Sequence, residues 1–316
     1  MEERLCESLR NRELPDYLLY AGMGGAKNWL KLDGSDTFPV ARRLKDLLEE
    51  NLTSIVRFIP TGMSLVSVGV GSGEKERILL EELIKKNLAE RPASGKVTIL
   101  YYPVDINSQL VDLALEKVRD LPVEKKGIVG FIENMPLLKE RWRLPVLFSI
   151  LGNTFCNYEP EFILKLVYEN LEQGDLFFFD ASLLPEPGSE DSHAARRSVL
   201  GTYATRENAL FNMYPLLQYG MAPEDFDFEL LLSHVDSKIG ALCRTRKSLN
   251  ILKDTEIKIG LETISFREGD TIRMGFTYKY TYEQITALLN VRGFEILKTF
   301  LSKDRENAIF LAKKST

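Results

Sequence analysis

Histidine is almost absent from this chain. Only His193 and His234 occur in 316 residues, so one chain cannot build a three-histidine metal site, and imidazole acid–base chemistry has little material to work with. Cysteine is nearly as scarce. Cys6, Cys156 and Cys243 lie far apart with no CxxC pair, which reads as reduced thiols of a cytoplasmic protein and not as a disulfide framework. No window approaches the about 20 apolar residues that cross a bilayer. The first residues, Met1-Glu-Glu-Arg-Leu-Cys, are acidic where a secretory signal is basic and then apolar. A basic surplus is missing too: 41 Lys+Arg stand against 46 Asp+Glu, net -5, whereas proteins that grip a nucleic-acid backbone usually carry excess positive charge. The expectation is a soluble cytoplasmic protein with a small-molecule ligand, no metal, no nucleic acid and no membrane. Oligomeric state is left open.

What is present is a globular composition, 44% hydrophobic and 28% charged, in a chain long enough for two domains. From Ser64 onward, short apolar β-type runs alternate with helical patterns. Strands are expected at Ser64-Leu-Val-Ser-Val-Gly-Val, Val97 to Val104, Gly127 to Ile132, Pro145 to Leu151 and Leu176-Phe-Phe-Phe. Helices are expected at Glu74 to Leu88, through Leu110 to Val118, and at Pro160 to Gln173. Near-continuous apolar strands separated by helices imply a parallel sheet buried on both faces, an α/β doubly wound core. The alternation breaks at the turn-rich Pro185-Glu-Pro-Gly-Ser-Glu-Asp-Ser. Two helices and several alternating strands follow, then a helix from Tyr282 to Val291. Phe294 to Leu301 and Asn307 to Ala312 look like a terminal antiparallel hairpin. Trp29 and Trp142 are expected to be packing residues, Leu176-Phe-Phe-Phe a buried central strand, and His234 an interior or interface side chain.

Three stretches carry chemistry. Gly69-Val-Gly71-Ser72-Gly73-Glu74-Lys75 directly follows the first strand and opens a helix, where glycines let a ligand approach the backbone and free N–H groups. The dinucleotide fingerprint wants glycine at position 74. Glu74 there would repel a pyrophosphate and tolerate a cationic ligand, of which S-adenosylmethionine is one. A plain strand-to-helix turn would look the same. Asp105, with Ile106 beside it, ends the second strand, where an acidic residue can accept the ribose hydroxyls of an adenosine ligand. It could equally cap the next helix. After the fourth strand comes Gly152-Asn153-Thr-Phe-Cys156-Asn157-Tyr158, at the strand ends where such sheets bind ligands. Its amides and phenol can hydrogen-bond an amine without carrying charge. Cys156 has no histidine near it in sequence and reads as a packed thiol.

Taken in order, Gly-Ser-Gly-Glu-Lys, Tyr102-Pro-Val-Asp105, Leu151-Gly152-Asn-Thr-Phe-Cys-Asn157, Glu172-Gln-Gly174-Asp175, Ala209-Leu-Phe211-Asn212, Ile272-Arg273-Met and Lys279-Tyr280 resemble the histidine-specific methyltransferase family, which includes the ergothioneine-pathway enzyme. The similarity runs patchily from about residue 60 to the C-terminus. It implies a class I methyltransferase core of Rossmann-like type, closed by the antiparallel hairpin, at 55–188 and 276–316. It also implies an α+β substrate-binding or lid domain made of 1–54 and 189–275. Carried onto this sequence, S-adenosylmethionine would be held by Gly69, Gly71, Ser72, Gly73, Lys75, Asp105, Ile106, Phe131, Ile132 and Asn153. Asn157, Tyr158 and Tyr203 would orient an acceptor amine for in-line methyl transfer. Phe38, Phe211, Asn212, Gly275 and Thr277 would line its pocket.

The sequence also departs from the family. An acidic residue there holds the substrate imidazole, in a Gly-Glu-x-x-Arg-x-Glu stretch. Here the stretch is Gly269-Asp-Thr-Ile-Arg273-Met-Gly275. Phe38 stands where the family has a tyrosine. The glycine removes histidine from the expected substrates or enlarges the pocket for a bulkier acceptor. A non-catalytic S-adenosylmethionine-binding relative and an NAD(P)-dependent oxidoreductase are the alternatives.

Overall fold

The computed structural model describes residues 2–90, 97–184 and 192–315. Residues 91–96 and nearly all of the turn-rich 185–192 stretch lie outside the described residues. The chain forms two compact units, Val40–Glu186 with Tyr280–Thr316, and Met1–Pro39 with Pro187–Lys279.

The first of these is built on one sheet. Its strands run in the spatial order Phe294–Leu301, Asn307–Lys314, Leu176–Ser182, Val146–Ile150, Ser64–Val68, Leu100–Asp105 and Glu124–Lys125. Ile128–Val129 also pairs with Leu100–Asp105. Every neighbour from Leu176–Ser182 outward to Glu124–Lys125 is parallel. Asn307–Lys314 runs antiparallel to both of its neighbours. This is the doubly wound α/β sheet ending in an antiparallel hairpin, the class I methyltransferase arrangement.

Residue pattern explains the burial. All five positions of Ser64–Val68 and of Val146–Ile150 are buried, as expected where helices cover both faces. Phe177, Phe178 and Phe179 have no exposed surface, and alternation sends them to opposite faces. Phe177 stacks on Phe179 at 4.6 Å and Phe179 on Phe310 at 5.1 Å. Phe178 joins Ile309 and Leu311 in the other cluster. Each such side chain contributes about 1.5–3 kcal/mol.

Several element ends differ from expectation. The strand expected over 127–132 is only Ile128–Val129, because Ile132–Asn134 coils into a 3-10 turn. The ladder of the second strand begins at Leu100. Helix Pro160–Asn170 stops short of Gln173 because the chain turns at Leu171. The Asp175 carboxylate then accepts the backbone N–H groups of Val146 and Glu172, each at 2.7 Å. Helix Tyr282–Arg292 is closed by the Thr281/Gln284 capping box and by Gly293 at φ 93. The domain boundary expected at residue 54 lies instead at Pro39/Val40. Helix Val40–Arg57 packs Leu47, Leu48, Ile55 and Val56 into the cluster of Leu79, Leu83, Phe300 and Ile309.

The other unit is α+β. A sheet ordered Glu13–Leu14, Thr271–Lys279, Gly240–Ile251 and Phe226–Ser237 accompanies helices Glu2–Arg10, Gly22–Asp33, Ser192–Tyr203 and Arg206–Leu217. A separate hairpin pairs Thr255–Ile259 with Glu262–Phe266. Trp29 lies edge-on to Tyr20 at 5.5 Å and beside Phe211 at 5.8 Å. A Cβ on Gly24 would fall 1.3 Å from the Tyr214 hydroxyl, so any side chain there would displace that ring. His234 is not interior. It is exposed on its strand, with Nε2 2.8 Å from Arg196.

Candidate functional site

The first strand delivers the chain into a loop that only glycine accommodates well. Gly69, Gly71 and Gly73 have φ of 70, 53 and 73, in the left-handed region that costs other residues about 1–2 kcal/mol. A Cβ on Gly73 would lie 2.8 Å from Ala114 Cα, so the loop seats directly on helix Ser108–Lys117. Helix Glu74–Glu90 starts at once, with Ser72 partly exposed at its mouth.

Asp105 closes the second strand beside this loop. Its carboxylate accepts the Asn107 backbone N–H at 2.9 Å and further N–H groups of Gly71 and Ile106. Burial pushes the carboxyl up to about 6, against the pull of those donors. Among the described residues no lysine or arginine pairs with it. Helix capping falls to Asn107, whose side chain accepts the Gln109 N–H at 2.9 Å. Gly130 N–H donates to the Asp105 carbonyl, which brings Phe131 and buried Ile132 alongside. A partly desolvated carboxylate without a cation, next to a glycine turn and a helix N-terminus, suits a ligand with hydroxyl donors. The donor set fits the adenosine part of S-adenosylmethionine.

Glu74 plays a different part from the one expected. Lys45 at 3.2 Å and Lys117 at 3.3 Å hold it, and the Lys45 hydrogen bond keeps its carboxyl below the usual range. Its charge is taken up by two ammonium groups, so repulsion of an anionic ligand does not follow from it.

The loop after the fourth strand is held from below by Asp180, which sequence reasoning missed. The Asp180 carboxylate accepts N–H from Gly152 at 2.8 Å and Asn153 at 2.6 Å, both left-handed at φ 83 and 62. Asn153 Oδ1 accepts the Ser182 N–H at 2.9 Å, so Asn153 serves the loop's own architecture. Burial holds Asp180 up in pKa, and Lys75 opposes it. The Lys75 ammonium sits 3.1 Å from where a Gly152 Cβ would be. Next to Lys75, fully buried Glu76 accepts a 2.7 Å bond from Ser67 Oγ, and burial raises its carboxyl. The signal for Asp180 was available: it follows the Phe177–Phe179 run at the ligand-binding end of the sheet. Asn157 and Tyr158 end the same loop partly exposed, with the Tyr158 ring 6.4 Å from Phe162. Cys156 has no exposed surface. All three cysteines are buried and unbridged.

The remaining expected residues lie in the α+β unit. Tyr203 meets Phe38 edge-on at 5.5 Å, and its hydroxyl accepts a 2.9 Å bond from Lys279 Nζ. Asn208 Nδ2 donates to the Tyr203 carbonyl at 2.6 Å, and Asn212 Nδ2 to the Asn208 carbonyl at 2.7 Å. Asn212 Oδ1 is buried without a hydrogen-bond partner among the described residues. Phe211 packs in the Tyr20–Trp29 cluster. The buried Thr277 carbonyl accepts the Thr245 hydroxyl at 3.2 Å. Gly275 does not open extra space. A Cβ there would lie 2.2 Å from the Asp16 carboxyl carbon, and Asp16 is bound to Lys247 at 2.8 Å. A carboxylate from far upstream occupies the place that the glycine vacates, a long-range contact that no local pattern signals.

Among the described residues no three His, Cys, Asp or Glu side chains group to hold a metal ion, and no helix is long and apolar enough to cross a membrane. Compared with known proteins, the chain is 22% identical over 303 residues to the N-methyltransferase fsqC of Aspergillus fumigatus, covering 93% of this chain and 78% of that one. Among solved structures, it is similar to the CcbJ methyltransferase from Streptomyces caelestis (12% identity, TM-score 0.42, 85% and 96% of the two chains). It is also similar to the SAM-bound amino pentose methyltransferase CalS10 from Micromonospora echinaspora (14% identity, TM-score 0.37, 90% and 94%). The family model described as histidine-specific methyltransferase, SAM-dependent, matches residues 1–314. An S-adenosylmethionine-dependent methyl transfer therefore replaces the oxidoreductase alternative: the chain belongs to the histidine-specific, SAM-dependent methyltransferase family.

Proposed function

We propose that this methyltransferase is an N-methyltransferase of an amino acid or small amine other than histidine. The nitrogen is supported by the name of the fungal relative, an N-methyltransferase. Asn212 Oδ1, buried and without a hydrogen-bond partner among the described residues, can take a donor such as an amine N–H, since its unmade hydrogen bond costs about 1–3 kcal/mol. Against histidine stands the Asp16–Lys247 pair, since a carboxylate already neutralised by an ammonium is a poor partner for an imidazole.

S-Adenosylmethionine supplies a sulfonium methyl whose departure leaves a neutral thioether. Gly69, Gly71, Ser72, Gly73, Asp105, Ile106, Phe131 and Ile132 hold the cofactor. Lys75 and Asn153 act through the Gly152–Asn153 loop. Asn157 and Tyr158 take acceptor N–H groups without supplying charge, so that the amine stays unprotonated with its lone pair free. Alignment of this kind contributes about 7–11 kcal/mol and asks for no strong base. Phe38, Phe211, Asn212, Gly275 and Thr277 shape the acceptor's surroundings. A cytoplasmic location fits three unbridged thiols.

The test is a panel of amino acids, amines and their hydroxyl analogues, with methyl-labelled cofactor and mass detection. Labelled N-methyl products with histidine among the poor acceptors are expected. Exclusive O- or C-methylation refutes the nitrogen, histidine as best acceptor refutes the selectivity, and no turnover of any compound returns the non-catalytic alternative.

A further inference from the structure

One hydrogen bond ties the two ends of the glycine loop together. Ser67, two residues before Gly69, donates its hydroxyl to Glu76, three residues after Gly73, at 2.7 Å. Glu76 is 1% exposed, and its Oε2 is buried without a hydrogen-bond partner among the described residues. An ionised carboxylate so placed costs several kcal/mol, whereas the protonated acid gives up far less hydration. Burial raises the Glu76 carboxyl; Lys75 and the Ser67 hydrogen bond oppose that, and the charge of Asp180 adds to it. From the neighbouring strand Leu100–Asp105, Asp105 and Tyr101 also feel its charge. The Tyr101 hydroxyl is buried without a partner among the described residues, and burial, then Glu76, hold it protonated. Lys45 and Lys117 reach this end of the helix as well, and both are engaged by Glu74. Asp105 and Asp180 accept backbone N–H groups of Asn107, Gly71 and Ile106, and of Gly152 and Asn153, and such donors favour the ionised form. Glu76 has a single hydroxyl. Of three acids around the ammonium of Lys75, it is the one least equipped to ionise.

We propose that Glu76 is where the protein answers the charge of its cofactor: protonated when the ligand is neutral S-adenosylhomocysteine, ionised when the ligand is the S-adenosylmethionine sulfonium. The two ligands share the ribose, the amine and the carboxylate, and differ in one methyl group and one positive charge. A cation bound at the glycine loop lowers the cost of a negative charge at the base of that loop, so the Glu76 proton leaves to solvent as the sulfonium arrives. By linkage, the affinity for S-adenosylmethionine then rises relative to that for S-adenosylhomocysteine as pH rises through the Glu76 titration. The spent, neutral product is bound without that gain, which favours its exchange for fresh cofactor. Glu76 is a positioning residue that acts by charge. The inference rests on cofactor binding at this loop and not on the identity of the methyl acceptor.

Calorimetric titrations of the intact protein with each ligand, in buffers of different ionisation enthalpy, count the protons released on binding from about pH 5 to about pH 8.5. At the pH of the maximum, S-adenosylmethionine is expected to release about half a proton more than S-adenosylhomocysteine. The ratio of the two affinities should rise about tenfold across the titration, as one pKa unit of coupling requires. Glu76→Gln, which keeps an acceptor for Ser67, should abolish both the difference and the rise, and Asp105→Asn should keep them. If Glu76→Gln does not fold, Ser67→Ala removes the donor that favours ionisation and should move the maximum to higher pH. Equal proton release by the two ligands in the wild type overturns the inference and leaves the cofactor site standing. Binding of neither ligand overturns both. A difference that persists in Glu76→Gln, or that vanishes only in Asp105→Asn, overturns the inference because another group then carries the proton. A maximum unmoved by Ser67→Ala does the same.

Discussion

Asp105→Asn keeps the shape of a buried side chain and removes its charge. In the native protein three backbone N–H groups point at this carboxylate, and burial lifts it to about 6 from an ordinary 3.8. An acid raised in this way stabilises the fold in its protonated form. That contribution is complete below about pH 4 and is lost as pH rises through about 6, and it amounts to about 3 kcal/mol. Ligand binding runs the other way, because the ionised carboxylate is the better acceptor for two hydroxyls. Between pH 5 and 7 the ionised fraction climbs about tenfold, and the affinity for S-adenosylhomocysteine should climb with it. The Asp105→Asn variant would lose charged hydrogen bonds to ligand and loop, about 1.5–3 kcal/mol, or about tenfold to a hundredfold in affinity at pH 8. Its own affinity should be flat with pH. Calorimetry from pH 5 to 8, paired with denaturant unfolding over the same range, measures both limbs. A wild-type affinity that does not change between pH 5 and 7, or a variant that binds within about twofold of wild type at pH 8, refutes the role given to Asp105.

Three further outcomes follow from packing. Gly73→Ala combines φ 73 with a 2.8 Å contact to Ala114 Cα and should destabilise by about 2–4 kcal/mol in urea unfolding; Ala114→Gly should give little relief, because the contact is to backbone. Gly275→Ala should drive the Asp16 carboxyl off Lys247 and cost about 1–3 kcal/mol. In an Asp16→Ala background that cost should shrink, and a double-mutant cycle with coupling below about 0.5 kcal/mol contradicts the contact. Asp180→Asn keeps one acceptor oxygen and turns an amide donor on the other of the Gly152 and Asn153 N–H groups; stability should fall by about 1–3 kcal/mol and KM for S-adenosylmethionine should rise more than kcat falls.

Much of the sheet was legible because its strands announce themselves locally. Ser64–Val68 and Leu176–Phe179 are mostly apolar and buried on both faces, and the hairpin 294–314 alternates around a charged turn. Gly69, Gly71 and Gly73 could be read as a turn because backbone conformation leaves few substitutes for glycine. Polar partnerships were not legible. Glu74 looked like a bare charge in sequence, yet Lys45 and Lys117 approach it from other helices. Asp105 and Asn107 are both cap-forming residues two positions apart, and only the chain path decides that Asn107 caps. Helix Val40–Arg57 carries an apolar stripe that either unit could have buried; nothing local says which sheet it covers. Gly275 appeared as a loss, whereas Asp16 fills the space from the far end of the sequence. Burial and charge pairing are set by contacts distant in the chain, and those decide what a candidate residue does.

The central claim is that the cofactor lies at the carboxyl ends of the parallel strands. Hydrogen exchange of the intact protein with and without S-adenosylhomocysteine tests it directly. Slower exchange is expected in residues 69–75, 105–107, 131–134 and 152–154, with the hairpin 294–314 unchanged. Slowing confined to other segments, or none at saturating ligand, contradicts it.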